Sequence, residues 1–380
     1  MVKPTKRRAA PSNHAELDAV TIASIEELAK EVHSKIRSGG KPSLAFPVRS
    51  LGNVSYDTGV GYLQIGDATS ERTLTVNTAK SFAQTLLLMD FARSQIRKNN
   101  RSTKREAYYI SKNWEEAKFD EQPESDTVLD DIEAMFAARG VTREQLRFIA
   151  EEHGGSVAGD LVVIDRDRET GADVHIDCTA FGSGSYSIPK NVEILRFETS
   201  AKFILCIETG GSFDRLHQAK FWKREKCILI EMGGVPSRAC RRFVRKLSEE
   251  IGIPVYAFTD CDPYGFANIY RTLKVGSGNA AHINQFFCVP NATFLGVTPQ
   301  DIVDYKLPTH PLKEIDVKRG KDAIKNDPFF STHKAWERAI NQLIDAGHRA
   351  EQQAFAKHGL DYVHDVYLPE KLANVRKFLP

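Results

Sequence analysis

Three apolar runs in the second half of the chain, each halted by an acid or a glycine pair, constrain its fold more than any other feature. They are residues 202–208 (KFILCIE, then Gly210 and Gly211), 226–232 (KCILIEM, then Gly233 and Gly234) and 253–265 (IPVYAFTDCDPYG). Short runs apolar on both alternating sets suit strands covered by helices on both faces. Between the second and third runs, Ala239, Phe243, Leu247 and Ile251 recur every fourth residue. That spacing predicts an amphipathic helix, here with a strongly basic outer face. Strands alternating with helices imply an α/β layer with a parallel sheet and an acidic cluster at one edge.

The acids are Glu208, Asp260 and Asp262. On an extended backbone residues two apart point the same way, so Asp260 and Asp262 can present two carboxylates together. In open parallel sheets ligands bind at the carboxyl ends of strands. Clustered carboxylates repel unless a cation lies between them, and hard oxygen ligands suit Mg²⁺. Asp-x-Asp alone equally describes a solvated turn; Glu208 at a neighbouring strand end is what strengthens the metal reading.

The chain has 380 residues, enough for two or three domains. No apolar run is long enough to cross a bilayer. The basic N-terminus lacks an apolar signal core and reads as a disordered arm. Six cysteines without C-x-x-C spacing read as small, reduced core residues of an intracellular protein. The histidines show no metal-ligand spacing, and no phosphate loop of the G-x-x-x-x-G-K-[ST] type occurs. A net charge of +2 leaves any nucleic-acid partner to local basic patches.

In chain order, residues 15–36 predict an amphipathic helix closed by Gly39 and Gly40, and residues 43–76 a set of short strands. From Asn77 a helix carries Phe82, Leu86, Met89 and Ile96. Thr103 and Glu106 then form a capping box for a short helix bearing Tyr108 and Tyr109. A loose acidic stretch over 115–126 precedes helices over 128–139 and 143–153, the last led by a second capping box, Thr142 with Gln145. Residues 161–165 and 174–178 predict a hairpin, and helices followed by a hairpin are the layout of a winged helix-turn-helix. Six basic residues lie between Arg93 and Arg105. A solvated helix face explains them, but so does phosphate binding beside a phenol, which attack on a phosphodiester requires. Neighbours on a helix face about 100° apart, so one tyrosine can fill the core while the other looks out. A final helix is predicted over 334–355, covering the sheet or making a dimer contact.

The segments TKREAYY (103–109), GSYSIP (184–189), CIE (206–208), EMGGVP (231–236), TDCDPYG (259–265) and FLGV (294–297) closely resemble the A subunits of the archaeal type IIB DNA topoisomerases, whose eukaryotic relative makes meiotic double-strand breaks. The resemblance runs from about Asn77 to the C-terminus. It implies an N-terminal arm, helix and strands over 1–76, a winged-helix (CAP-like) DNA-binding domain over 77–190, and a Toprim α/β domain with a helical extension over 191–380. It also implies Tyr109 as nucleophile, Arg105 as its cationic helper, and Glu208, Asp260 and Asp262 as ligands of Mg²⁺. Many relatives carry Asp where this chain has Glu106. The implied partners are double-stranded DNA, a second copy of the chain, and a B subunit that binds ATP, giving an A2B2 heterotetramer. A cytoplasmic, nucleoid-associated place is implied, with no membrane. A phenol ionises near ~10, so attack at neutral pH needs the positive field of Arg105 and a metal. Alternatives are a Toprim nuclease or primase-like enzyme that does not need Tyr109, a meiotic-type transesterase, and a DNA-binding protein with a structural Toprim layer.

Overall fold

The computed structural model describes residues 14–149, 153–167 and 169–380. The expected N-terminal arm lies outside them, apart from its last residue. Helix α1 (His14–Arg37) and strand β1 (Ser43–Pro47) open the chain; a hairpin of β2 (Val54–Asp57) and β3 (Tyr62–Ile65) follows, then β4 (Thr69–Thr73) and α2 (Ala79–Arg97). Next come β5 (Ser102–Thr103), α3 (Lys104–Ile110), α4 (Gln122–Ala137) and β6 (Phe148–Ile149). The chain forms two compact units: residues 1–48 with 66–151, and residues 49–65 with 152–380. The boundary at 190 predicted from sequence therefore falls inside the second unit.

In the first unit, α1, α2, α3 and α4 enclose a core of Ile25, Leu88, Ala107, Val128, Ile132 and Phe148. Strand β1 pairs antiparallel with β4, and β5 pairs parallel with β6. Three local predictions change here. The acidic stretch is not loose, because Pro123 starts α4 from its first turn, where a missing N–H costs nothing. The helix over 143–153 does not form within the described residues. Thr142 N–H donates to Gln145 Oε1 at 2.7 Å, half of the predicted box, but Arg147 has φ +72° and the chain leaves as β6. The predicted wing hairpin belongs to the other unit.

The second unit continues with β7 (Ser156–Gly159), β8 (Val162–Arg166), β9 (Asp173–Asp177), β10 (Tyr186–Ser187) and β11 (Arg196–Glu198). Then follow β12 (Phe203–Ile207), α5 (Gly210–Gln218), α6 (Phe221–Glu225), β13 (Cys227–Glu231), α7 (Arg238–Ile251), β14 (Val255–Phe258) and β15 (Ala292–Gly296). Strands β8, β9 and β11 make a small antiparallel sheet. The main sheet has the order β10-β7-β13-β12-β14-β15. Strands β13, β12, β14 and β15 are parallel, and β7 and β10 extend the sheet antiparallel. Every residue of β12 is buried, as its unbroken apolar run predicts.

Helix α7 starts at Ser237, whose Oγ accepts from Cys240 N–H, and stops at Gly252 in the left-handed conformation. Its basic face is not an outer face. Arg241 and Arg245 are buried, Arg245 donates to the Cys288 carbonyl at 2.8 Å, and Arg242 pairs with Glu193. The C-terminal helix spans Lys334–Ala346, shorter than predicted because Gly347 ends it at φ +69°. All six cysteines are buried thiols. Among the described residues, no helix is long and apolar enough to cross a membrane.

Candidate active site

The main sheet reverses its winding at one place. After β12 the chain passes α5 and α6 to reach β13 on one side; after α7 it arrives at β14 on the other side of β12. At such a switch point the connections diverge and leave a crevice beyond the strand ends, where α/β sheets bind ligands. Glu208 directly follows β12, and Asp260 lies two residues beyond β14. The ladder continues past the strands here, with Glu208 N–H donating to the Phe258 carbonyl at 3.0 Å.

Glu208 and Asp260 meet. Glu208 Oε2 accepts from the Asp260 backbone N–H at 2.9 Å, and Asp260 Oδ1 accepts from the Gln352 backbone N–H at 2.8 Å. Burial, then the neighbouring charge of Asp260, with smaller contributions from Asp262 and Glu351, pushes the Glu208 carboxyl up to about 8. Burial, together with repulsion from Asp262 and Glu351, pushes Asp260 up to about 6. The remaining oxygens, Glu208 Oε1 and Asp260 Oδ2, carry no hydrogen bond among the described residues. Two desolvated carboxylates with open oxygens and no ion pair of their own among the described residues, Arg349 being bound to Asp262, form a donor set of the hard, all-oxygen kind that suits Mg²⁺.

Asp262 lies close enough for its charge to raise both Glu208 and Asp260, but unlike theirs its two oxygens are both engaged by the protein. Strand β14 ends at Phe258, and Cys261 instead bridges antiparallel to Ala350. Asp262 is 9% exposed; its Oδ1 accepts from Gly265 N–H at 2.6 Å and its Oδ2 pairs with Arg349 Nη1 at 3.1 Å. Among the described residues no three His, Cys, Asp or Glu side chains converge into a ready-made ion site. Sequence reasoning missed Arg349 and Gln352. Gln352 is 2% exposed, donates through Nε2 to the Phe258 carbonyl at 2.8 Å, and accepts from the Thr209 hydroxyl at 2.9 Å. It thereby ties both strand ends to the C-terminal segment. Their only sequence signal is that both are polar, within the run predicted to continue the final helix to 355.

The tyrosines belong to the first unit. The predicted capping box of α3 is present: Thr103 Oγ1 accepts from Glu106 N–H at 3.1 Å, and Glu106 Oε2 from Thr103 N–H at 2.6 Å. Ala107 faces the core, which fixes the rotation of the helix. Tyr108 packs against that core, donates to the Asp120 carbonyl at 3.1 Å, and lies under Lys112 Nζ at 4.1 Å from its ring. Tyr109 is 56% exposed. Arg105 is also exposed, one turn before Tyr109 on the same face, with no ion pair among the described residues. The basic run divides in two. Arg93, Arg97 and Lys104 pair with acids, whereas Lys98, Arg101 and Arg105 have no ion pair among the described residues.

Comparison with known proteins places these features in one family. Residues 203–372 match the family model for the Toprim domain of the topoisomerase 6 A subunit and Spo11. Residues 151–201 match an all-beta domain in DNA topoisomerase VI alpha subunit, and residues 80–147 match type IIB DNA topoisomerase. The chain is 50% identical over 356 residues to the A subunit of type 2 DNA topoisomerase 6 from Methanocaldococcus jannaschii, covering 94% of this chain and 95% of that protein. It is 37% identical over 352 residues to the protein of the same name from Halobacterium salinarum (92% and 94% covered). Against the one from Archaeoglobus fulgidus it is 35% identical over 362 residues (95% and 99%). With likeness of this extent over nearly the whole of both chains, the protein belongs to the topoisomerase VI A-subunit family of type IIB DNA topoisomerases.

Proposed function

We propose that this chain cuts and rejoins both strands of duplex DNA, with Tyr109 as the nucleophile and Glu208, Asp260 and Asp262 as the carboxylates that hold Mg²⁺. The observation that carries it is the contact of Glu208 with Asp260 at the switch point, two desolvated acids held together with no protein cation between them. When bound, the cation supplies positive charge for the phosphoryl and leaving 3′ oxygens. Tyr109 Oη attacks the phosphorus, the bond to the 3′ oxygen breaks, and a 5′-phosphotyrosine ester forms. The phenolic proton is released and the 3′ oxygen gains one. One ester replaces another, so the reverse attack reseals the strand without nucleotide hydrolysis. Arg105, exposed beside Tyr109, holds a phosphate oxygen during attack.

The first unit, in which α2, α3 and α4 surround the β5–β6 pair, serves as the duplex-binding layer of winged-helix type, with Lys98 and Arg101 on phosphates. Two copies act together, the tyrosine of one meeting the carboxylates of the other. A separate B subunit binds ATP and completes an A2B2 assembly on the nucleoid. A metal-dependent nuclease reading uses the same acids with water as attacker, and the family membership does not favour it. A Tyr109→Phe variant, mixed with B subunit, supercoiled DNA, Mg²⁺ and ATP, is expected to bind duplex DNA and form no covalent adduct on a denaturing gel. Adduct that survives the substitution would remove Tyr109 from the mechanism.

A further inference from the structure

A cavity of about 190 Å³ opens beside the acidic crevice, lined on one side by Gly211, Ser212 and Arg215 of α5 and on the other by Gln352 and Gln353. Gln352 borders both spaces, because the same residue holds the strand ends of Glu208 and Asp260. Phe258 and Phe355 form part of its apolar wall.

Arg215 stands apart from the other arginines of its unit that are withdrawn from water. Arg242, Arg245, Arg271, Arg319 and Arg349 are each engaged by a carboxylate. Arg238 and Arg241 lie over the Phe287 ring, and Arg49 also has a partner. Arg215 is partly buried, yet among the described residues it has no carboxylate, carbonyl or ring against its guanidinium. No carboxylate among the described residues lines the cavity. A guanidinium that lines a cavity and has no protein partner of its own is free to receive an anion, and its planar fork matches two oxygens of one phosphate.

We propose that Arg215 is a phosphate-binding residue that seats a backbone phosphodiester of the duplex beside the one being cut. This rests on the reading of Glu208 and Asp260 as the cleavage site. The acids by themselves repel a polyanion, and a cation placed one residue cluster away, across Gln352, fixes the strand's register without neutralising the acids. Arg215 does not reach the reacting atoms in this scheme; it positions them.

The test uses the full chain and a labelled duplex, with Arg215→Gln, which keeps the side chain's bulk and polarity, and Arg215→Lys, which keeps its charge. The slope of log Kobs against log salt is expected to become shallower by about 0.9 for each Arg215 engaged on the duplex in R215Q, and to return in R215K. Strand cleavage with B subunit, Mg²⁺ and ATP falls in R215Q, while the Mg²⁺-induced rise in Tm stays as in the parent. An unchanged salt slope in a folded R215Q variant overturns the phosphate role. So does a lost slope that lysine does not restore. A parent protein whose Tm ignores Mg²⁺ would instead defeat the reading of the acidic site, whatever Arg215 does to the slope.

Discussion

At the scale of single residues, the site is defined by carboxyl groups held where their charge is unwelcome. Glu208 ionises near 4.5 in an unfolded chain and at about 8 in the folded one. Between those values the folded state keeps a proton that the unfolded state has lost, so folding binds protons and stability falls as pH rises through this window. Below 4.5 both states are protonated, and above 8 both are ionised, so the slope vanishes at either end. Asp260 adds the same sign from 3.8 to about 6. Metal-free protein in chelator is therefore expected to lose Tm from about pH 5 to about pH 8, and Glu208→Gln to flatten that fall. A glutamine variant as pH-sensitive as its parent would show that the strain lies elsewhere. Glu208 and Asp260 were legible because each terminates an apolar run. Arg349 and Gln352 were not, since what gives them meaning is proximity across the fold to Asp262 and Phe258, which a linear pattern does not carry.

At the scale of elements, the short helix α3 shows how little is needed to aim the proposed nucleophile, Tyr109, outward. Seven residues cannot hold a helix unaided. The capping box satisfies its first amides, Ala107 anchors its inner face, and the remaining direction belongs to Tyr109. Thr103→Ala removes one side of that box and is expected to cost about 0.5–2 kcal/mol, read as a lower denaturant midpoint. Adduct formation should fall alongside, since the helix that carries Tyr109 frays first. Undiminished stability in that variant would mean that tertiary packing alone holds α3. The capping box and the parallel strands could be read from sequence because both are local rules. The segment after Thr142 could not: its first hydrogen bond imitates a helix start, and only the left-handed Arg147 reveals that the chain turns away to pair with β5. Likewise the arginines of α7 look solvent-facing in a helical projection until Glu193 and the Cys288 carbonyl are seen to receive them.

At the scale of the whole molecule, Tyr109, the proposed nucleophile, and the carboxylates of Glu208 and Asp260 reside in separate compact units. Proposed sites shared between two copies give a decisive experiment. When Tyr109→Phe protomers are co-assembled with Asp260→Ala protomers, a shared arrangement leaves one of two sites with both wild-type parts, and single-strand nicks reappear. If each copy used its own tyrosine and its own carboxylates, both sites would be dead and no nicks would form. The division also explains which part of the architecture the sequence makes legible: the parallel α/β layer follows from strand periodicity, whereas the hairpin after residue 160 has the periodicity of a wing and is claimed by the second unit through β11. The loop bearing Asp260 is held in shape by Arg349, Ala350 and Gln352, the last of them 92 positions further along the chain. They leave the ribosome well after the sheet they brace. A nascent polypeptide still lacking them carries every strand of the main sheet but none of these braces, so the Asp260 loop takes its shape only when synthesis is nearly finished.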